Sequence, residues 1–130
     1  MSSDAATADS RPETIERFLA AVEQGDLAAM AELAHPDITM EWPQSGERFR
    51  GRENAIAAIT ATEEKPELAG EPTVIGQGNL WVVRMALQYG PEIFQYAGIF
   101  ELEDGLVRRT TEYFAAPFPA PDARAPYVER

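Results

Sequence analysis

Ile15, Phe18, Leu19 and Val22 fall at i, i+3, i+4 and i+7, a single apolar stripe that predicts a helix ending near Gly25. Ser10 and Glu13 form an S-x-x-E capping box at its start, and Pro12 is tolerated in the first turn. Asp26 is placed to N-cap a second helix that turns Leu27, Met30 and Leu33 inward and stops at Pro36. The link between the two is very short, so a tight helical hairpin is expected. From Ile38 to Trp42 the period changes to two, a short strand closed by the turn residues Pro43, Gln44, Ser45 and Gly46. Gly51 to Thr62 reads as a third helix with Ala55, Ile56 and Ile59 on its buried side, and Glu63 to Gly70 as a polar connector.

The second half alternates throughout. Strands are expected at Thr73 to Ile75, Leu80 to Tyr89, Ile93 to Glu103 and Leu106 to Phe114, separated by Gly76 to Asn79, Gly90-Pro91 and Asp104-Gly105. Asp104-Gly105 is a strong hairpin signal, so antiparallel pairing follows. Pro117, Pro119, Pro121 and Pro126 cannot occupy a helix interior or a central strand, which predicts an extended Pro-rich tail over 116–130. Helices gathered ahead of a run of hairpin-linked strands indicate an α+β fold, with helices on one face of a curved sheet. A sheet curled around helices leaves a hollow, and that hollow is the first candidate for a ligand site.

Composition narrows the chemistry. The 130 residues fit one domain; residues 1–11 read as a disordered leader without the apolar run of a signal peptide, and no stretch approaches membrane-spanning length. A cytoplasmic protein is expected. Asp and Glu number 22 against 11 Lys and Arg, and the net charge of −11 repels phosphate backbones and anionic lipid, so neither nucleic acid nor membrane is an expected partner. With no cysteine, one histidine (His35) and no calcium-loop spacing, no metal site is expected. His35, just before Pro36, is read as interacting with the C-terminus of the second helix.

Three segments then stand out: F-L-A-A-V-E-Q-G-D-L (Phe18 to Leu27), I-T-M-E-W-P followed by F-R-G-R (Ile38 to Arg52), and F-E-L-E-D-G-L-V-R-R-T-T-E-Y-F (Phe100 to Phe114). In this order they resemble the NTF2-like superfamily and, within it, the SnoaL-like (polyketide cyclase-like) group, over a domain of residues 12–115. The resemblance implies a cone of three N-terminal helices packed on a curved antiparallel sheet enclosing a pocket. It also implies a homodimer through the outer sheet face, and a small apolar ligand handled without a cofactor. The group spans cyclases, isomerases and epoxide hydrolases, and the fold alone does not choose among them.

Ketosteroid isomerases of this superfamily use a Tyr where this chain has Phe18, an Asp where it has Trp42, and a second oxyanion donor where it has Gly98. None of the three can do that chemistry. SnoaL-like cyclases and limonene epoxide hydrolases carry a cavity-facing acid partway along the final strand, and T-T-E-Y-F puts Glu112 there. The hydrolases add an R-x-D pair; Arg84 matches the Arg, but the Asp position is Ala86. Alternation places Thr110, Glu112 and Phe114 on one face, so if Phe114 points inward, Glu112 does too. A carboxyl in an apolar cavity has its pKa raised, which suits proton transfer near neutrality. Glu112 is therefore the candidate acid or base with Arg84 orienting it. The plain alternatives are a solvated strand carboxylate, and an Arg84 outside a core made by Val83, Met85 and Leu87.

Phe18, Met40, Trp42, Phe49, Tyr96 and Phe100 are candidate pocket residues, for which core packing is the plain alternative. Glu41 exchanges roles with Trp42 if the strand slips by one residue. Arg48, Arg50 and Arg52 are read as a solvated loop with helix-start contacts, and Arg108 and Arg109 as exposed on the sheet. The favoured function is a cofactor-free cyclase or isomerase step on an apolar, oxygenated, polyketide-like metabolite in secondary metabolism. A non-catalytic ligand-binding protein, an epoxide hydrolase-like activity and a scaffold with a filled cavity are the alternatives.

Overall fold

The computed structural model describes residues 11–61 and 64–130. Ser10 of the expected capping box, the expected leader before Arg11, and Thr62 at the expected end of the third helix lie outside them. Helix α1 (Arg11–Gln24) buries Ile15, Phe18 and Ala21. Gly25 then takes a positive φ of 68°, which lets the chain reverse into α2 (Leu27–Leu33). Asp26 caps α2, its side chain accepting from the Ala29 N–H at 3.1 Å. The helical hairpin read from the sequence is thus formed.

Strand β1 (Ala34–Trp42) follows without a loop and runs antiparallel to β2 (Glu47–Arg50). Arg48 and Arg50 therefore stand on a strand rather than in a loop. Arg52 opens α3 (Arg52–Thr60) and donates to the Ala31 carbonyl at 3.1 Å, tying α3 to α2. The connector contributes a two-residue strand, β3 (Glu67–Leu68). Strands β4 (Thr73–Gln77), β5 (Leu80–Tyr89), β6 (Glu92–Glu103) and β7 (Leu106–Ala115) complete a seven-stranded sheet. Its order is β2-β1-β7-β6-β5, with β3 and β4 sharing the far edge of β5.

The expectation of a wholly antiparallel sheet needs correcting. β1 lies parallel to β7, so the sheet is mixed, because the first strand keeps its sequence neighbour β2 on one side and inserts beside the last strand on the other. The register slips between Ala34 and Thr39 on the β1–β7 seam and between Glu101 and Leu102 on the β6–β7 seam. Such irregularities bend a sheet, and here they curl it around the helices. Ile38, Met40, Val83, Tyr96, Phe100, Leu102, Val107 and Thr110 are buried on the concave face, against Ile15, Phe18, Met30 and Leu33 of the helices. No helix among the described residues is long and apolar enough to cross a membrane.

Two smaller expectations also change. The tail is extended through Pro121 but then makes a 3-10 turn, Asp122–Tyr127, that contains Pro126. A short turn of this kind makes few backbone bonds, so the missing proline N–H costs it little. His35 does not meet the end of α2. It sits in β1, where its Nδ1 accepts from the Asp37 N–H at 3.0 Å and its Nε2 faces Glu103 at 3.4 Å.

Candidate functional site

Three neighbouring strands, β1, β7 and β6, turn alternate side chains toward the helices. From β1 these are Ile38, Met40 and Trp42; from β7, Thr110, Glu112 and Phe114; from β6, Tyr96, Gly98 and Phe100. An open cavity of about 1010 Å³ lies between this face and the helices, and Phe18, Trp42, Tyr96, Phe100, Glu112 and Phe114 border it. Leu19 and Val22 of α1 and Ile59 of α3 close the opposite side.

Glu112 is held on that wall by three donors. The Tyr96 hydroxyl donates to Oε1 at 2.6 Å, the Thr110 hydroxyl to Oε2 at 2.9 Å, and the Trp42 indole N–H to Oε2 at 3.4 Å. Burial pushes the Glu112 carboxyl above its ordinary value of 4.5, and these three hydrogen bonds oppose the shift. Burial, followed by the adjacent Glu112 charge, pushes the Tyr96 hydroxyl well above 10, so Tyr96 stays protonated and remains a donor. A carboxyl raised by burial yet oriented on both oxygens is equipped to exchange a proton with a bound molecule.

Gly98 makes the Tyr96 contact possible. It pairs with Glu112 across the strands, and the Tyr96 ring leans over it: a Cβ at position 98 would lie 2.3 Å from the Tyr96 hydroxyl oxygen and 2.8 Å from Cζ. Gly98→Ala is therefore expected to displace the ring and to cost about 1–3 kcal/mol by overpacking. Because the hydroxyl contact is then already broken, Tyr96→Phe should cost less in the Gly98→Ala background than in the parent chain. Chemical denaturation of the four proteins of this cycle measures the difference; equal costs in both backgrounds would show that Gly98 does not hold the contact open.

Other candidates take different places. Arg84 is exposed on the convex face, paired with Ala97 and Thr73, and it does not orient Glu112. Strand β5 instead sends Met85, Leu87 and Tyr89 to the cavity, since its apolar set is the one that packs against the helices. Ala86 shares the outer face with Arg84, so neither position of the R-x-D pair reaches the interior. Glu41 also faces outward, bound to Arg48 at 3.1 Å and to Arg109. The hydrogen bond from Arg48 is the main reason its carboxyl is lowered below 4.5. Met40 is packed in the core, and Phe49 backs Trp42 edge-on with ring centroids 4.8 Å apart; neither forms the cavity wall.

Tyr89 and Met85, and Leu19, Val22 and Ile59 beside the expected Phe18 on the helical wall, were absent from the sequence-derived pocket, although the apolar alternation of β5 and the stripe on α1 carried the signal. Among the described residues His35, Glu103 and Asp104 come close enough to share an ion. The Asp37 N–H occupies Nδ1 of His35, however, which leaves the ring proton on Nε2 facing Glu103, the arrangement of a hydrogen-bonded pair rather than of a ligand set.

The match to a family model settles the lineage: residues 15–110 fit that of the SnoaL-like domain. The chain belongs to the SnoaL-like family. Among solved structures this SnoaL-like chain is similar to an NTF-2-like protein of unknown function from Burkholderia xenovorans, at 32% identity and a TM-score of 0.79, with 95% of this chain and 96% of that one covered. A putative ketosteroid isomerase from Kribbella flavida superposes at a TM-score of 0.86 with 23% identity, over 94% and 90% of the two chains. A putative polyketide cyclase from Sinorhizobium meliloti gives 0.66 and 20%, over 78% and 94%. No curated protein matches the sequence.

Proposed function

We propose that this SnoaL-like protein is a cyclase or isomerase that works by proton transfer on a small, largely apolar, oxygenated molecule, with Glu112 as the acid or base. The observation that carries the reading is the Glu112 carboxyl, fixed by Tyr96, Thr110 and Trp42 on the wall of an apolar cavity. Substrate would lie against Trp42, Phe100 and Phe114, with the reacting carbon near the carboxyl, so that positioning adds to proton transfer. The three donors are all committed to Glu112, which keeps the carboxyl in one orientation as it gains and loses the proton. This reading requires no cofactor. Epoxide hydrolysis has less support, because Arg84 and Ala86 both lie on the outer face.

The test is product mass. Incubation with a panel of polycyclic ketones, poly-β-ketone analogues and cyclic epoxides, followed by chromatography and mass spectrometry, is expected to yield from the ketones a separable product of unchanged mass, or one lighter by a water where cyclisation ends in dehydration. A gain of water would favour the hydrolase reading; tight binding with no product from any binder would favour a carrier. The same reading takes the convex face, where Ile75, Val82 and Ile99 are exposed, as the surface on which two copies pair. Sedimentation velocity should then give twice the 14.3 kDa chain mass, and a monomer would remove that part of the reading.

A further inference from the structure

The cavity has an unusual balance of charge. Its border carries Lys65 as the one cationic side chain among the described residues, and that group stands exposed at the mouth, donating to the Glu23 carbonyl at 3.4 Å. Arg84, the cation expected inside, is on the far side of the sheet. Four carboxylates, Glu16, Glu23, Glu64 and Glu71, stand exposed at the same mouth.

The interior has the same sign by an independent route. An anionic group lodged beside Glu112 would need donors, yet the hydroxyls of Tyr96 and Thr110 and the N–H of Trp42 each have a single hydrogen, and each is given to Glu112. Aromatic rings present the other surfaces near that carboxyl: Phe114 meets Trp42 edge-on at 5.7 Å and Tyr96 at 5.2 Å. Ring faces are negative and attract cations. A positive charge would therefore find a carboxyl and ring surfaces in a largely apolar cavity, where such attractions are stronger than in bulk water.

We infer that the cavity selects ligands carrying a positive charge on an apolar body, such as an amine attached to a ring system, and disfavours anionic ones. The inference rests on the reading of the cavity as the ligand site and adds the charge class of what enters it. It also bears on the reaction, since a wall of this sign stabilises positive charge developing on a bound molecule.

Three fluorescent probes with one ring body separate the two claims: pyrenemethanol, pyrenemethylamine, which is cationic near neutral pH, and pyrenecarboxylate. Binding to the intact chain is followed by fluorescence anisotropy at low salt and at roughly 0.5 M salt, where exposed charges are screened. The amine is expected to bind about tenfold or more tighter than the alcohol, the carboxylate to bind weakest, and the order to persist in high salt. In Glu112→Gln the advantage of the amine should shrink.

If the alcohol binds and the amine binds no better, the inference falls and the cavity remains a ligand site. A preference that vanishes in high salt, or that Glu112→Gln leaves whole, also overturns it, by tracing the selectivity to the net charge of −11 rather than to the interior. If none of the three binds, the ligand-site reading falls with it.

Discussion

Glu112→Gln should lower turnover of any substrate found for this protein by about 10²–10⁴-fold, the usual contribution of a positioned acid or base. The dissociation constant for a neutral ligand should stay within a few-fold. The amide keeps the shape of the carboxyl, and its oxygen can still accept from Tyr96, so the wall between Trp42 and Phe114 is preserved. The proton-exchanging group and its charge are removed, together with the weak acceptor for the Trp42 N–H, while the Thr110 hydroxyl can turn to accept from the amide. Steady-state kinetics beside direct binding separates the two effects; a variant that turns over at the parent rate would leave Glu112 with a structural role alone.

The same substitution has a pH signature in stability. Burial raises the folded-state pKa of Glu112 above 4.5, so the native chain holds this proton more tightly than the unfolded chain does. The stability gained from that protonation is fully present below the unfolded value and is lost as pH rises through the raised folded value. Glutamine does not titrate. The difference in melting temperature between Glu112→Gln and the parent should therefore move in favour of the variant as pH climbs from about 4 toward 8. Other carboxyls titrate in both proteins and cancel from the comparison, and a difference that is flat across the range would contradict burial of the acid.

Phe100→Ala should be the most damaging single change to the fold. The residue is 1% exposed, its ring meets that of Phe18 edge-on at 6.3 Å, and it stands in β6 between Trp81 and Thr110 of the neighbouring strands. Truncating a buried phenylalanine costs about 3–5 kcal/mol, because packing is lost and the hole is only partly refilled. In a chain of this size that corresponds to a fall in melting temperature on the order of 10–20 °C. Phe100 also borders the cavity, so part of the hole opens into it. A ligand bulkier than the parent protein accepts should then recover part of the loss, which thermal melts with and without ligand measure. A loss below about 1 kcal/mol would mean that the ring is not part of the continuous core.

Much of this was legible in the chain itself. The stripe on α1, the Asp26 cap and the Asp104-Gly105 turn are local signals, and local signals are decided by residues close in sequence. They placed the helical hairpin and the long strands to within a few residues. The inward set Thr110, Glu112 and Phe114 was also readable, but only by counting back from Phe114. The register slip beside Arg109 leaves Val107 and Thr110 both inward although they are three apart, so counting forward from Val107 would have turned Glu112 to solvent.

The sequence by itself determined the α+β order of elements, the family, and an acid on the last strand sharing a face with Phe114. Tertiary structure alone decided which face of β5 lines the cavity, because alternation has two phases and Val82, Arg84 and Ala86 compete with Val83, Met85 and Leu87 until the helices cover one of them. It likewise decided that Trp42, Tyr96 and Thr110, rather than Arg84, hold Glu112, and that β1 runs parallel to β7. Those relations join residues 70 and more positions apart, and no local preference encodes a contact that exists only once the sheet has curled.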